Sequence, residues 1–167
     1  YRMNYYAVTA MLARVYCWAG EYGNAYKEAK EVVDATYSTG STSTASCFNF
    51  SNSLTTNRKD YNSIIMTFFK STCYEDYLPY MTKGNDVVLV VNTTNLFGDE
   101  AGADDRNLDL FGDWDGGDIK YSFKYDIKEG TSGTDMIPAI RLSEMYYIMG
   151  EYFAYKDEFS KAGEMLE

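Results

Sequence analysis

The chain has 167 residues, 25 of them Asp or Glu against 15 Lys or Arg, for a net charge of −10, and it contains no histidine. That length is one domain or part of one, enough to bury roughly two thirds of the unfolded surface. Without an imidazole the Ser-His-Asp triad, the HExxH zinc site and a histidine general base are excluded, and so acidic a chain has no electrostatic attraction for a phosphate backbone, which argues against nucleic acid as a partner.

The opening Tyr1-Arg2-Met3 has no basic n-region, apolar stretch or cleavage site, so it reads as an interior segment or as a chain whose leader has been removed. Helical periodicity begins at once. Tyr5, Val8, Leu12, Val15 and Ala19 recur at intervals of three and four, which predicts a helix with one apolar stripe ending near Trp18, broken by Gly20. Tyr22, Ala25, Ala29 and Val32 carry the same spacing on a second helix to about Val33. Residues 1–36 are therefore expected to form a helical hairpin, with Tyr5, Tyr16, Cys17 and Trp18 in its core.

Residues 37–136 read as a loop-rich insertion. Ser, Thr and Asn dominate 38–60, and strands are expected at Tyr61–Phe69, Asp86–Val91 and Ile119–Tyr125. The longest strictly apolar run, Val87–Val91, has five residues, far below the roughly twenty that span a bilayer. Tyr74, Tyr77 and Tyr80 around Pro79 either line a groove or cover the hairpin. Residues 98–118 hold five glycines and eight acidic residues around Phe111 and Trp114, a composition expected to stay exposed and irregular. Asp113, Asp115 and Asp118 start like a calcium loop but lack the fifth-position ligand and the distal Glu, so a solvated acidic loop is expected, with no metal and no cofactor. Cys47 and Cys73 can pair in an oxidising compartment; their spacing leaves that open.

Residues 137–167 read as a second hairpin, with Pro138 at the first helical position, Asp135 upstream as a cap, and Tyr146 and Phe153 in the core. A shift of 137 residues lays Leu12, Ala13, Tyr16, Tyr22 and Ala25 on Met149, Gly150, Phe153, Phe159 and Ala162, and Glu21 on Glu158. This large-small-aromatic-small order is the tetratricopeptide pattern, in which short side chains let antiparallel helices approach. The expected fold is mainly α: tetratricopeptide-like helical hairpins with a long loop-rich insertion containing a few short strands.

AMLARVYCWAGEYGNAYKEAKEVV (Ala10 to Val33), the Asp104-Asp105-Arg106 element, the Lys124-Tyr125 pair and IPAIRLSEMYYIMGEYFA (Ile137 to Ala154) together resemble the SusD/RagB family, whose runs of form ALLARVYLYAGDYxxA and IPLIRLAEMYLIxAEA match in order and spacing. The resemblance implies a non-catalytic nutrient-binding lipoprotein on the extracellular face of the bacterial outer membrane. Such a protein takes up oligosaccharide or polysaccharide and passes it to a SusC-like TonB-dependent transporter. It touches the membrane only through a lipid anchor, which falls outside these residues together with the family's preceding helices and C-terminal segment. Arg141 and Glu144 correspond to the Arg and Glu of the family's IRLAE run, three apart on one helix face and expected to ion-pair; Arg106 corresponds to the Arg of its Asp-x-Arg element. Family residues that bind glycan vary, so no ligand contact transfers.

Sugar recognition needs flat aromatic faces beside polar groups, and aromatics make up 17% of the chain. Trp114 and Phe111 in the acidic loop and Tyr121 on the neighbouring strand are the candidates, the plainer alternative being that Phe111 or Trp114 pins the loop to the scaffold. Nothing in the sequence fixes a carboxylate pair of the glycosidase kind. The second functional reading is a helical-repeat interaction scaffold whose concave face holds a partner's segment.

Overall fold

In the computed structural model, which describes residues 4–39, 43–51, 54, 59–81, 90–113, 119–122 and 136–166, the first helix, α1 (Tyr5–Trp18), starts at Asn4, whose side chain accepts the Ala7 N–H at 2.8 Å. Gly20, at φ +75°, turns the chain into α2 (Tyr22–Val33). The helices meet through Ala10 and Ala13 on one side and Ala25, Ala29 and Val32 on the other, all buried in one core cluster. The apolar stripe of α1 is real but lies on the opposite face: Tyr5, Val8, Leu12, Val15 and Trp18 are exposed. The reason is steric, since axes approach only where side chains are short, so the alanines turn inward and the large residues outward. Tyr5 and Trp18 are therefore not core residues, and Tyr16, Tyr146 and Phe153 are half-buried.

Within the stretch expected to be all loop, β1 (Thr36–Ser38) and β2 (Thr44–Ser46) form an antiparallel pair, Tyr37 opposite Ala45. A 3-10 turn at Tyr61–Ser63 leads into β3 (Ile64–Phe69). Then come α3 (Cys73–Met81), β4 (Val90–Asn92), α4 (Thr93–Phe97), a second 3-10 stretch at Gly98–Gly102, α5 (Asp105–Leu110), β5 (Phe111–Asp113) and β6 (Ile119–Ser122). The acidic Gly-rich stretch is thus more regular than its composition implies, and Asn107 and Leu110 are buried. β6 lies between β4 and β5, antiparallel to both.

Pro138 opens no helix. It sits inside β7 (Met136–Arg141), the partner of β3, and α6 (Leu142–Tyr155) starts only after Arg141, whose backbone is extended; a two-stranded sheet leaves an edge on which a missing proline N–H costs no ladder bond. α7 (Phe159–Glu164) closes the chain. Asp135 and the Lys124-Tyr125 pair lie outside the described residues.

The repeat holds in the backbone as well as in residue size. Asp157 stands at φ +58° where the first hairpin has Gly20. Glu21 and Glu158 share φ near −90° with ψ 58° and 59°, and their N–H groups bond to Tyr16 O and Phe153 O at 2.9 Å in both hairpins. α2 packs on α1 and on α6, and α6 on α7. The core of these helices runs from Ala10 and Ala25 through Val32, Ile65 and Ile140 to Met145 and Met149. By compactness the chain divides into one unit of Tyr1–Phe50, Asn62–Phe68 and Pro138–Glu167, which holds the hairpins, and another of Ser51–Tyr61 and Phe69–Ile137. The three cysteines are free. Among the described residues no helix is long and apolar enough to cross a membrane.

Candidate functional site

In the second unit two short helices and two strands converge on one cavity. Asn92 caps α4 by accepting the Asn95 N–H at 2.9 Å, and Gly98 at φ +58° ends it, which leaves Leu96 and Phe97 at its last turn. Asp104 caps α5 in the same way, accepting the Arg106 N–H at 2.8 Å. Its carboxylate also receives the Arg106 Nε at 2.9 Å and the guanidinium terminus at 2.5 Å. Those bonds hold the Asp104 carboxyl below the usual carboxylate range, chiefly through the Arg106 side chain and against a smaller opposing effect of burial.

So fixed, Arg106 lies over the Phe97 ring, 5.3 Å from its centroid, and Phe111 meets Phe97 edge to face at 5.9 Å and 73°. Leu96, Leu110 and Ser122 complete the walls of a cavity of about 270 Å³. It offers two ring surfaces, aliphatic walls, a hydroxyl and a cationic donor group held in place. Stacking on the rings and hydrogen bonding to the polar groups are the interactions that this lining offers a ligand.

Of the residues singled out in the sequence, Phe111 lines this cavity. Tyr121 does not share its face. Phe111 stands opposite Ser122 and Gly112 opposite Tyr121, and side chains alternate along a strand, so the two rings look out of opposite faces of the sheet. Tyr121 lies across Gly112, where a built Cβ would stand 2.9 Å from its ring; the ring covers a gap that only glycine leaves open. Trp114 lies outside the described residues, as do Asp115 and Asp118. Among the described residues no group of three or more Cys, Asp or Glu could hold a metal ion. Sequence reasoning missed Phe97, Leu96, Leu110 and Ser122. The start and stop signals were legible: Asn92 and Gly98 bracket α4, and Asp104 opens α5.

A smaller cavity of about 190 Å³ lies between α1 and α6, with Trp18, Tyr147 and Ile148 on its walls. Its floor is structural. Glu144 pairs not with Arg141 but with Arg14 of α1, at 2.5 Å and 2.6 Å, while Arg14 also donates to Ala139 O at 3.0 Å and Arg141 reaches Ser63 Oγ at 3.4 Å. A partner across the helix interface meets the bidentate geometry that a neighbour three residues along the same helix does not. Cys17 donates to Glu151 at 2.9 Å, and burial, then that carboxylate, push its thiol up to about 11. It stays protonated at neutral pH and is a poor nucleophile.

No family model and no curated protein matches the chain. Solved structures do. A SusD superfamily protein from Bacteroides thetaiotaomicron matches over 98% of this chain and 40% of its own, with TM-score 0.65 and 20% identity. A SusD-like carbohydrate binding protein from Bacteroides vulgatus matches over 99% of this chain and 36% of its own, with TM-score 0.58 and 17% identity. The chain thus has the SusD-like fold, mainly helical with a few short strands, and spans about two fifths or less of those proteins' length.

Proposed function

We propose that this chain is a segment of a SusD/RagB-family glycan-binding protein, non-catalytic, which captures oligosaccharide or polysaccharide at the extracellular face of the outer membrane. The captured chain passes to a SusC-like TonB-dependent transporter, and a lipid anchor beyond these residues holds the protein at the surface. The observation that carries the reading is the Phe97–Phe111 pair with Arg106 clamped beside it by Asp104. Aromatic faces accept pyranose C–H groups, the guanidinium donates to hydroxyl or ring oxygens, and Ser122 adds a donor or acceptor. The similarity to a carbohydrate binding protein of Bacteroides vulgatus supports the ligand class. Trp114, next in sequence after Asp113, is a further stacking candidate; Tyr121, on the opposite face, would serve a separate contact.

The test is affinity electrophoresis in gels cast with a panel of polysaccharides. Phe111→Ala and Trp114→Ala should each lose retardation on the polysaccharide that retards the parent, with melting temperature unchanged for Trp114→Ala. Retardation equal to the parent in both variants would reject these rings as the contact. Failure of the parent on every polysaccharide would leave the interaction-scaffold reading, which the exposed apolar face of α1 favours.

A further inference from the structure

Between positions 90 and 122 the sequence carries eight acidic residues and two basic ones, Arg106 and Lys120, and each cation stands against a carboxylate. The Asp104 carboxylate accepts from the Arg106 Nε at 2.9 Å and from the guanidinium terminus at 2.5 Å. The oxygen that takes Nε also accepts the Arg106 backbone N–H at 2.8 Å, so one side chain both caps α5 and fixes the arginine. Lys120 lies directly opposite Asp113 across β6 and β5, within the reach at which cross-strand side chains interact. The cavity beside Phe97 and Phe111 thus has a cationic group on its wall whose charge is already matched by a neighbour.

That arrangement treats neutral and anionic sugars differently. A neutral sugar asks only for ring faces and hydrogen bonds, which the two phenylalanines, the guanidinium and Ser122 supply. A uronate or a sulfate ester brings its own negative charge, and it can use Arg106 only by displacing Asp104 or by sharing the arginine with it. Displacement is unfavourable, because Asp104 is tethered two residues away and gives up no translational freedom on pairing, whereas a ligand anion does. Sharing places two anions side by side in a stretch whose net charge, eight acidic residues less two basic, is already six negative units. Like charges so juxtaposed act as a rejecting element. Arg106 is 66% exposed and Asp104 18%, so water and salt weaken the repulsion without removing it.

We propose that this cavity selects uncharged sugars over uronates and sulfated sugars, and that Asp104 sets the selection by holding the charge of Arg106 within the protein; this rests on the reading of the cavity as the sugar contact. Asp104 acts through Arg106 and is a positioning residue. The net charge of the chain repels polyanions from the whole surface, but the local pair implies something narrower. Removing the one carboxylate at Asp104 releases the guanidinium for a ligand anion, while removing a carboxylate elsewhere does not.

The experiment measures affinity electrophoresis of the protein at its natural length against neutral polysaccharides and against the same polysaccharides oxidised at C6 to uronates. The parent should bind the neutral form at least about tenfold more tightly than the oxidised one, and methyl esterification of the oxidised form should restore binding. Asp104→Asn keeps a capping side chain without the charge and should bring the two forms to within about twofold of each other. The control is Asp34→Asn, which removes the same charge from the ion pair with Lys30 at the end of α2 and should leave the ratio as in the parent. Equal binding of both forms by the parent overturns the proposal, as does an unchanged ratio in Asp104→Asn or an equal fall in Asp34→Asn, which would make net charge the cause. A parent retarded by no polysaccharide, or a Phe111→Ala variant retarded like the parent, rejects instead the sugar-contact reading beneath it. Should Asp104→Asn fail to fold, Asp104→Ser is read in the same way. In the unsubstituted protein the preference should shrink as sodium chloride rises from about 20 mM to about 500 mM, and a preference indifferent to salt overturns the proposal.

Discussion

The Arg14–Glu144 pair is a clasp between residues 130 positions apart, and its strength can be worked from the structure. The side chains are 30% and 29% exposed, between the surface regime, where pairs contribute roughly 0.2–1 kcal/mol, and the buried regime, where breaking one costs roughly 3–5. Bidentate geometry raises the expected coupling within that range. A double-mutant cycle with Arg14→Met and Glu144→Gln should give a coupling of about 1–2 kcal/mol; the cycle is needed because Arg14→Met also removes the bond to Ala139 O. At a urea slope of about 2 kcal/mol/M, each single variant should shift the midpoint down by roughly 0.5–1 M. The control is Lys161–Glu158, whose side chains are 57% and 41% exposed and whose coupling should be clearly the smaller of the two. Equal coupling in the two pairs, or a value below about 0.3 kcal/mol for Arg14–Glu144, would refute the clasp.

Three further outcomes are expected. Ala25 is fully buried at the hairpin contact, so Ala25→Leu should overpack it and destabilise by about 1–3 kcal/mol, read as a drop in urea midpoint; an unchanged midpoint would mean that the axes do not meet there. Asp157 occupies the left-handed region that Gly20 fills in the first hairpin, so Asp157→Gly should raise stability by up to about 1 kcal/mol, and a lower melting temperature would show that the aspartate side chain matters more than the strain. Asp104 has a depressed pKa in the folded chain, so its clamp on Arg106 is complete above the unfolded value of about 3.9 and is lost as pH falls through the lower folded value. Carbon NMR of the Asp104 carboxyl should titrate below 3.9; a midpoint at or above it would contradict the pairing.

Period and glycine placement were enough to read α1, α2 and the turn between them, because an alternation of small and large residues at helical spacing has few other uses. The direction of the α1 stripe was not legible. Apolar spacing names two faces, one of alanines and one of larger residues, and only the partner helix decides which turns inward. The start of α6 was misread because Pro138 suits both a first helical turn and a sheet edge, and pairing with β3, some 70 residues away, settles the choice. Glu144 was assigned to its neighbour Arg141 for want of any local sign of Arg14. In the second unit Phe111 was visible as an aromatic in an unusual stretch, while Phe97 was hidden by a helix of five residues, too short for periodicity to register. Its caps were the available signal.

The alanines at the hairpin contact bear on how the chain assembles. Alanine has no rotamers to freeze, so closing α1 on α2 orders backbone and almost nothing else, and the contact joins segments adjacent along the chain, which favours early formation. Joining the distant second hairpin is a slower step, and it must close over the whole intervening stretch. The entropy of that closure grows only with the logarithm of length, about 0.6 kcal/mol for each doubling, less than one good clasp restores. The middle of such a chain is thus free to lengthen and diversify between two unchanging ends.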